Sequence, residues 1–252
     1  MKVTFLGTGT SHGVPVIGCR CGVCTSRDPR DRRTRSSVYI ETGQADILID
    51  ITPEFRIQTI RAGIDSADAL LLTHAHSDHV GGFDDIRPFC REHAVPVYGN
   101  GITIDELRRR FDYIFRTTQE GGGKPRVSLE VIDRKPFFVK ELRVQPIPVL
   151  HGGLSISGYR IGAFGYVTDC SRLPGESLRL LSGCSTLVIN GLRHRPHPTH
   201  LTIKGALDYI AKIGPERAYI THLCHDLLHE ELSAELPEGV YPAYDGLVFE
   251  ID

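Results

Sequence analysis

The sequence predicts an α/β chain of two mixed β-sheets with helices on their outer sides. Two observations carry this expectation: short apolar, β-branched runs recur along the whole length, and helical patterns fall between several of them. A third observation concerns where the chemistry lies. Asp50 ends ILID, His74 follows LLLT, His151 follows PIPVL, Asp169 follows GYVT, Asn190 ends LVIN and His222 follows AYIT. Loops at one edge of a rigid sheet are where function gathers, so six such strand ends suggest one shared site.

Taken in order, strands are expected at 3–6, 37–41, 47–50, 69–73, 95–98, 127–132, 143–149, 157–161, 163–168, 186–190, 217–221 and 247–250. The run Ala69-Leu70-Leu71-Leu72 has no polar interruption and reads as a buried strand. Helices are expected at 53–62, 83–92, 104–117, 177–182, 202–213 and 226–236, several of them opened by Thr, Ser or Pro. The EGGGK stretch at 120–124 reads as a loop inside a domain. No internal repeat or low-complexity tract interrupts the pattern, so 1–252 is expected to form a single domain.

Composition narrows the class of protein. Of 252 residues, 40% are hydrophobic and 24% charged, and no apolar run approaches the roughly 18 residues of a membrane span. The start, Met1 to Gly7, is too short for the apolar core of a signal peptide, which places the protein in the cytoplasm. The net charge of −2 argues against a surface built for phosphate backbones, so nucleic acid and membrane are not expected partners. Arg27, Arg30, Arg32, Arg33 and Arg35 form one basic run, read as a solvated face. Seven cysteines cannot all pair within the chain, and Cys19, Cys21 and Cys24 crowd into six residues, a spacing that in a reducing compartment points to metal.

The densest signal is His74-Ala75-His76-Ser77-Asp78-His79. Residues two apart in an extended segment point the same way, so His74 and His76 can hold one cation from one side. A turn then redirects Asp78 and His79 toward a second cation. Distant residues must complete both shells, and His151, Asp169 and His222 are the candidates; a carboxylate such as Asp169 can bridge two ions with its two oxygens. Crowding these groups together would cost desolvation and, on protonation, repulsion, unless a cation holds them. Isolated histidines such as His93, His194, His197 and His229 are read as ordinary surface or core residues.

THAHSDH resembles the HxHxDH signature of the metallo-β-lactamase superfamily, as do the opening FLGTGTSHGVPVIGC, ILID at 47–50 and the late YITH. The resemblance implies a four-layer αβ/βα sandwich, two mixed β-sheets with helices on the outside, and a dinuclear site between the sheets. It implies that His74, His76 and His151 hold one divalent metal, that Asp78, His79 and His222 hold the other, and that Asp169 bridges them. An oxygen bridge at Asp169 suits Mn²⁺ or Zn²⁺ and phosphate chemistry.

GCRCGVCTSR together with THLCH is similar to the PhnP-type cyclic phosphodiesterases. That likeness implies a separate structural Zn²⁺ on Cys19, Cys21, Cys24 and His225, with Cys224 as a rival for the fourth position. It also implies that His200 protonates the leaving oxygen or stabilises the phosphorane charge, with the neighbouring His197 as its rival. Asp78 is expected to take the proton of the attacking water. Arg193 or Arg195 is expected to help hold the phosphate. The expected function is hydrolysis of a small-molecule phosphodiester such as 5-phosphoribosyl 1,2-cyclic phosphate, by a homodimer. A tRNA 3′-processing nuclease of the same superfamily and a thioester hydrolase are the alternatives.

Overall fold

The computed structural model describes residues 1–117 and 123–252, so most of the loop expected at 120–124 lies outside the described residues. Strands run in chain order as β1 (Lys2–Gly7), β2 (Ser37–Glu41), β3 (Asp46–Ile49), β4 (Ala69–Leu71), β5 (Val95–Gly99) and β6 (Val127–Val131). There follow β7 (Phe137–Val139), β8 (Leu142–His151), β9 (Leu154–Ile161), β10 (Phe164–Val167), β11 (Thr186–Asn190), β12 (Arg217–Thr221), β13 (Val240–Pro242) and β14 (Val248–Glu250). They form two seven-stranded sheets, ordered β14-β1-β2-β3-β4-β5-β6 and β13-β12-β11-β10-β9-β8-β7. Each sheet is mixed as expected: β3 to β6 and β10 to β13 run parallel, and the remaining neighbours antiparallel.

Three apolar clusters explain why the strands read as continuous hydrophobic runs. One, including Phe5, Ile40, Ile49, Leu71, Tyr159 and Tyr166, fills the space between the sheets. A second lies under the helices of the first sheet, α1 (Phe55–Ala62), α2 (Ser77–Val80), α3 (Gly101–Arg110) and α4 (Asp112–Phe115). A third lies under α5 (Gly175–Leu181), α6 (Ile203–Ile213) and α7 (His229–Glu235) on the second sheet. The inner strands are thus buried on both faces, which is what parallel sheets require. On α6, Ile203, Ala206, Ile210 and Ile213 form the buried stripe at helical spacing, Thr202 caps the start by accepting from Gly205 N, and Gly214 ends it at φ 70°. The four layers are those of the αβ/βα sandwich.

The sheets are braced directly beneath the histidine-rich segment. Tyr159 on β9 is fully buried and donates its hydroxyl to Leu72 O across the interface at 2.6 Å. One residue further on, Ser157 N donates to Thr73 O at 3.0 Å. The chain therefore enters His74 from a point fixed to both sheets.

Some elements differ from expectation for local reasons. The helix expected at 83–92 is a 3-10 helix, Phe83–Cys90, because Pro88 inside it can neither donate a backbone hydrogen bond nor clear the preceding turn. The helix expected at 104–117 starts earlier, at Gly101 with Asn100 as its cap, and breaks at Phe111 before the single turn of α4. The turn expected after His76 is the short helix α2. The three-residue strands β7 and β13 carry too little pattern to be read from sequence.

Replacing Tyr159 by Phe leaves Leu72 O buried without its donor and should lower unfolding stability by about 2 kcal/mol, read as a lower urea midpoint at unchanged m.

Candidate metal centre

The donor groups meet because strands from both sheets stop at one edge. β4 delivers His74, β8 ends in His151, β10 leads to Asp169 and β12 leads to His222. Asp50, Asp169 and His222 take left-handed backbone conformations, with φ of 62°, 52° and 58°; among the described residues only Lys140 otherwise does so without being glycine. Each costs about 1–3 kcal/mol, and such strain persists where the surroundings fix the residue for a purpose. At Asp50 the fixing groups are visible: its carboxylate accepts from Thr73 N and Thr73 Oγ1, both at 2.8 Å, and lies 2.7 Å from His79 Nδ1.

Two donor groups lie on either side of Asp169. Donor atoms of His74, His76 and His151 lie within 4.8 Å of one another, as do those of Asp78, His79, Asp169 and His222, and His200 joins His151 and Asp169 in a third, overlapping group. Asp169 faces both. Its Oδ1 is 3.2 Å from the Nε2 atoms of His79 and His222, while its Oδ2 is 3.9 Å from His151 Nε2 and 4.0 Å from His74 Nε2. Asp78 Oδ2 stands 3.3 Å from His79 Nε2.

These contacts fit a cation better than hydrogen bonds. His79 Nε2, both ring nitrogens of His222 and Nδ1 of His200 are buried without a hydrogen-bond partner among the described residues. Orphaned buried nitrogens are costly. With ligand distances of about 2.1 Å, the edges of a tetrahedral shell are about 3.4 Å long. Separations of 3.2 and 3.3 Å from His79 to Asp78 and Asp169, and from His222 to Asp169, lie near that edge, while Asp78 and His222 stand 3.9 Å apart. Nitrogen and carboxylate donors in this mixture suit Zn²⁺ or Mn²⁺.

The far sides of the rings are held by groups the sequence does not single out. His74 Nδ1 contacts Thr73 Oγ1 at 3.0 Å, and His151 Nδ1 donates to the carbonyl of Thr199 at 2.8 Å. Such contacts orient imidazole ligands. Asn190 grips the backbone beside Asp169, accepting from Cys170 N at 2.7 Å and donating to Cys170 O at 3.1 Å. Electrostatics follow from the same geometry. Burial alone would lower His79, but Asp169, Asp78 and Asp50 outweigh it and hold the imidazole well above its ordinary range. Burial would raise Asp78 and Asp169, yet neighbouring histidines hold both well below theirs.

His200 is brought against the cluster, its Nδ1 3.8 Å from Asp169 Oδ2 and its ring 4.8 Å from those of His151 and His222. His197 lies behind it, with ring centroids 4.9 Å apart, and its Nδ1 accepts from Thr199 N at 3.3 Å. Of the two, His200 is the one that reaches the Asp169 carboxylate.

The second constellation is as compact. His225 Nδ1 lies 3.3, 3.5 and 3.6 Å from the sulfurs of Cys19, Cys21 and Cys24. A tetrahedral Zn²⁺ with bonds of about 2.3 Å to sulfur and 2.0–2.1 Å to nitrogen separates those atoms by about 3.6 Å. Backbone N–H groups of Val16 and Cys24 donate to Cys24 Sγ and Cys21 Sγ. The Cys24 N–H is the main reason the Cys21 thiol is pulled down to about 6. Cys224 Sγ accepts from Asp226 N instead and stands outside the donor group.

The basic run nearby is not one solvated face. Arg33 is 1% exposed, pairs with Asp31 at 3.0 Å, and donates to Cys224 O at 2.8 Å and Leu227 O at 2.7 Å. Asp31 in turn accepts from His229 N at 2.7 Å. This buried pair locks the segment carrying His222 and His225 to the amino-terminal loop. Arg30 and Arg35 pair with Asp28 and Glu54.

The sequence profile of the beta-lactamase superfamily domain matches residues 45–223. A solved diphosphatase of the PhnP family is 40% identical and superposes with a TM-score of 0.93, over 100% of this chain and 98% of its own. Zinc-bound PqqB from Methylobacterium extorquens shares the fold at a TM-score of 0.80 and 20% identity, covering 100% of both chains. An octanoyltransferase from Porphyromonas gingivalis is 44% identical over 255 residues, spanning 100% of this chain but 52% of that relative. This chain thus corresponds to about half the length of that protein. No helix among the described residues is long and apolar enough to cross a membrane.

Asp169, Asp78 and Asp50 favour the protonated ring of His79, and a cation taken up on its Nε2 competes with that proton. Manganese, which thiolates bind poorly, should release about one proton per chain on binding at pH 7, measured with an indicator in weak buffer; binding without release would exclude His79 as a ligand.

Proposed function

The chain belongs to the metallo-β-lactamase superfamily and, within it, to the PhnP family, and on that premise we propose that it is a metal-dependent phosphodiesterase acting on a small ribosyl phosphodiester such as 5-phosphoribosyl 1,2-cyclic phosphate. In this reading two Mn²⁺ or Zn²⁺ ions occupy the groups sharing Asp169, and a structural Zn²⁺ occupies Cys19, Cys21, Cys24 and His225. The observation that carries it is the shared carboxylate, with one oxygen toward each donor group. A bridge of oxygen rather than sulfur favours a hard, phosphate-binding pair of ions.

The cleft beside the cluster supports the same class of substrate. A cavity of about 210 Å³ is lined by Thr10, Ser11, His12, Arg193, His197 and His200 among others. Arg195 is tied to Asp226 at 2.7 Å, which leaves Arg193 as the guanidinium for a phosphate oxygen. When bound, the ions supply Lewis acidity and a nucleophile at neutral pH. Asp78, held ionised by its histidine neighbours, accepts a hydrogen bond from the attacking water and orients it. Burial first, and His222 beside it, pull His200 down to about 3, so it meets the substrate neutral. The negative charge of an approaching diester raises its proton affinity, so the ring takes up a proton from water in the cleft and passes it to the leaving ribose oxygen.

A second reading, hydrolysis of an acyl thioester, is favoured by the relative named octanoyltransferase. That protein is nearly twice as long, and its named activity can reside in the half this chain does not match.

Metal analysis beside a substrate panel separates the readings. The proposal expects turnover of a 1,2-cyclic ribosyl phosphate and of bis-p-nitrophenyl phosphate, and little of an octanoyl thioester or a tRNA precursor; the reverse order would overturn it. Replacing His200 by Ala should lower kcat by about 10²–10⁴-fold at unchanged metal content. An equal loss of both would make His200 a ligand rather than an acid.

A further inference from the structure

Helix α3 lines a cavity beside His74 and His76, and its two ends are tied to β9 and to the segment after β4. At its start, Asn100 Nδ2 donates to Ser155 O on β9 at 3.2 Å, while Asn100 Oδ1 accepts from Thr103 N at 2.9 Å. At its end, Arg110 Nη1 donates to Ala75 O at 2.6 Å. Ala75 is the residue between His74 and His76. Thr103, Glu106 and Arg110, spaced to lie on one helical face, line a cavity of about 320 Å³ together with His74 and His76. Glu106 stands 3.5 Å from Arg110 Nε and steadies the guanidinium.

We infer that Arg110 is a positioning residue for the His74/His76 pair, and that through it α3 couples the wall of this second cavity to the geometry of one metal site. The inference rests on the metal reading above. His74 Nε2 and His76 Nδ1 lie 2.9 Å apart, and the Ala75 backbone between them sets how the two rings meet. The flanking backbone is already fixed: Thr73 by Asp50 and Ser157, and His76 O by His79 N at 2.9 Å. The hydrogen bond to Ala75 O fixes the peptide between them. Arg110 touches neither donor nitrogen, so its influence is confined to the group of His74, His76 and His151 and does not extend to that of Asp78, His79 and His222.

The test is site-resolved metal affinity. Full-length protein with Zn²⁺ kept on Cys19, Cys21, Cys24 and His225 is titrated with Co²⁺ against a competing chelator, following the visible d–d bands, to obtain separate constants for the catalytic sites. Arg110→Met keeps the aliphatic stem and removes the donor. One of the two constants should weaken about tenfold or more, with a change in that site's band, while the other stays within twofold; losing such an orienting partner typically costs 10–100-fold. Arg110→Lys, which restores a donor, should fall between Met and wild type. Should Arg110→Met not fold, Arg110→Lys carries the test, with the same single constant weakened severalfold. Both constants unchanged, or both weakened equally, would overturn the inference. A wild-type protein that took up no pair of cobalt ions would instead overturn the metal reading itself.

Discussion

A buried carboxylate with histidines on either side is the constraint on which the structure turns. Asp169 is 2% exposed, and its two oxygens face imidazoles carried by β4, α2, β8 and β12. Removing a carboxylate and so many imidazoles from water is expensive unless something positive unites them. Much of the surrounding architecture serves that convergence: left-handed backbones at Asp50, Asp169 and His222, the inter-sheet brace at Tyr159, and Asn190 clamped on Cys170. In the proposed chemistry the same carboxylate sets the spacing of the two ions, and hence the place where a phosphoryl group is gripped.

The cysteine constellation is a second anchor for the first. His225 lies three residues after His222, and the buried Arg33–Asp31 pair holds the backbone between Cys224 and His229. Thr10 N donates to Leu223 O, and Leu223 N to Thr8 O, so the amino-terminal loop and the His222 loop are joined by backbone as well. A zinc ion at Cys19, Cys21, Cys24 and His225 would fasten the remaining free end of that loop. The cavity lined by Thr10, His12 and Arg193 is built on this joint, which ties the cysteine group to the shape of that cavity.

Much of this was legible from sequence because it rests on strong, local patterns. Strands at 37–41, 186–190 and 217–221 match the expected bounds, since strands buried on both faces leave uninterrupted apolar runs. The ligand set was legible because HxHxDH and CxCxxC place donors at short spacing, and the distant members follow recognisable strand ends. Asp50 and Asn190 stand out by position, but their roles depend on Thr73, His79 and Cys170, which only the fold brings to them. Arg33 was hidden within a run of arginines: sequence cannot tell which one is swallowed by Asp31 and two carbonyls. Thr199 contributes a backbone carbonyl, which any residue has, and Arg110 acts across 35 positions on another carbonyl. Contacts of that kind leave no trace in residue type.

Anomalous diffraction from crystals grown with manganese and zinc, recorded at both absorption edges, addresses the central claim most directly. The account predicts two peaks about 3.5–4 Å apart on either side of the Asp169 carboxylate, and a zinc-only peak inside Cys19, Cys21, Cys24 and His225. Density showing Asp169 hydrogen-bonded to protonated imidazoles, with no anomalous scatterer beside it, would contradict the account.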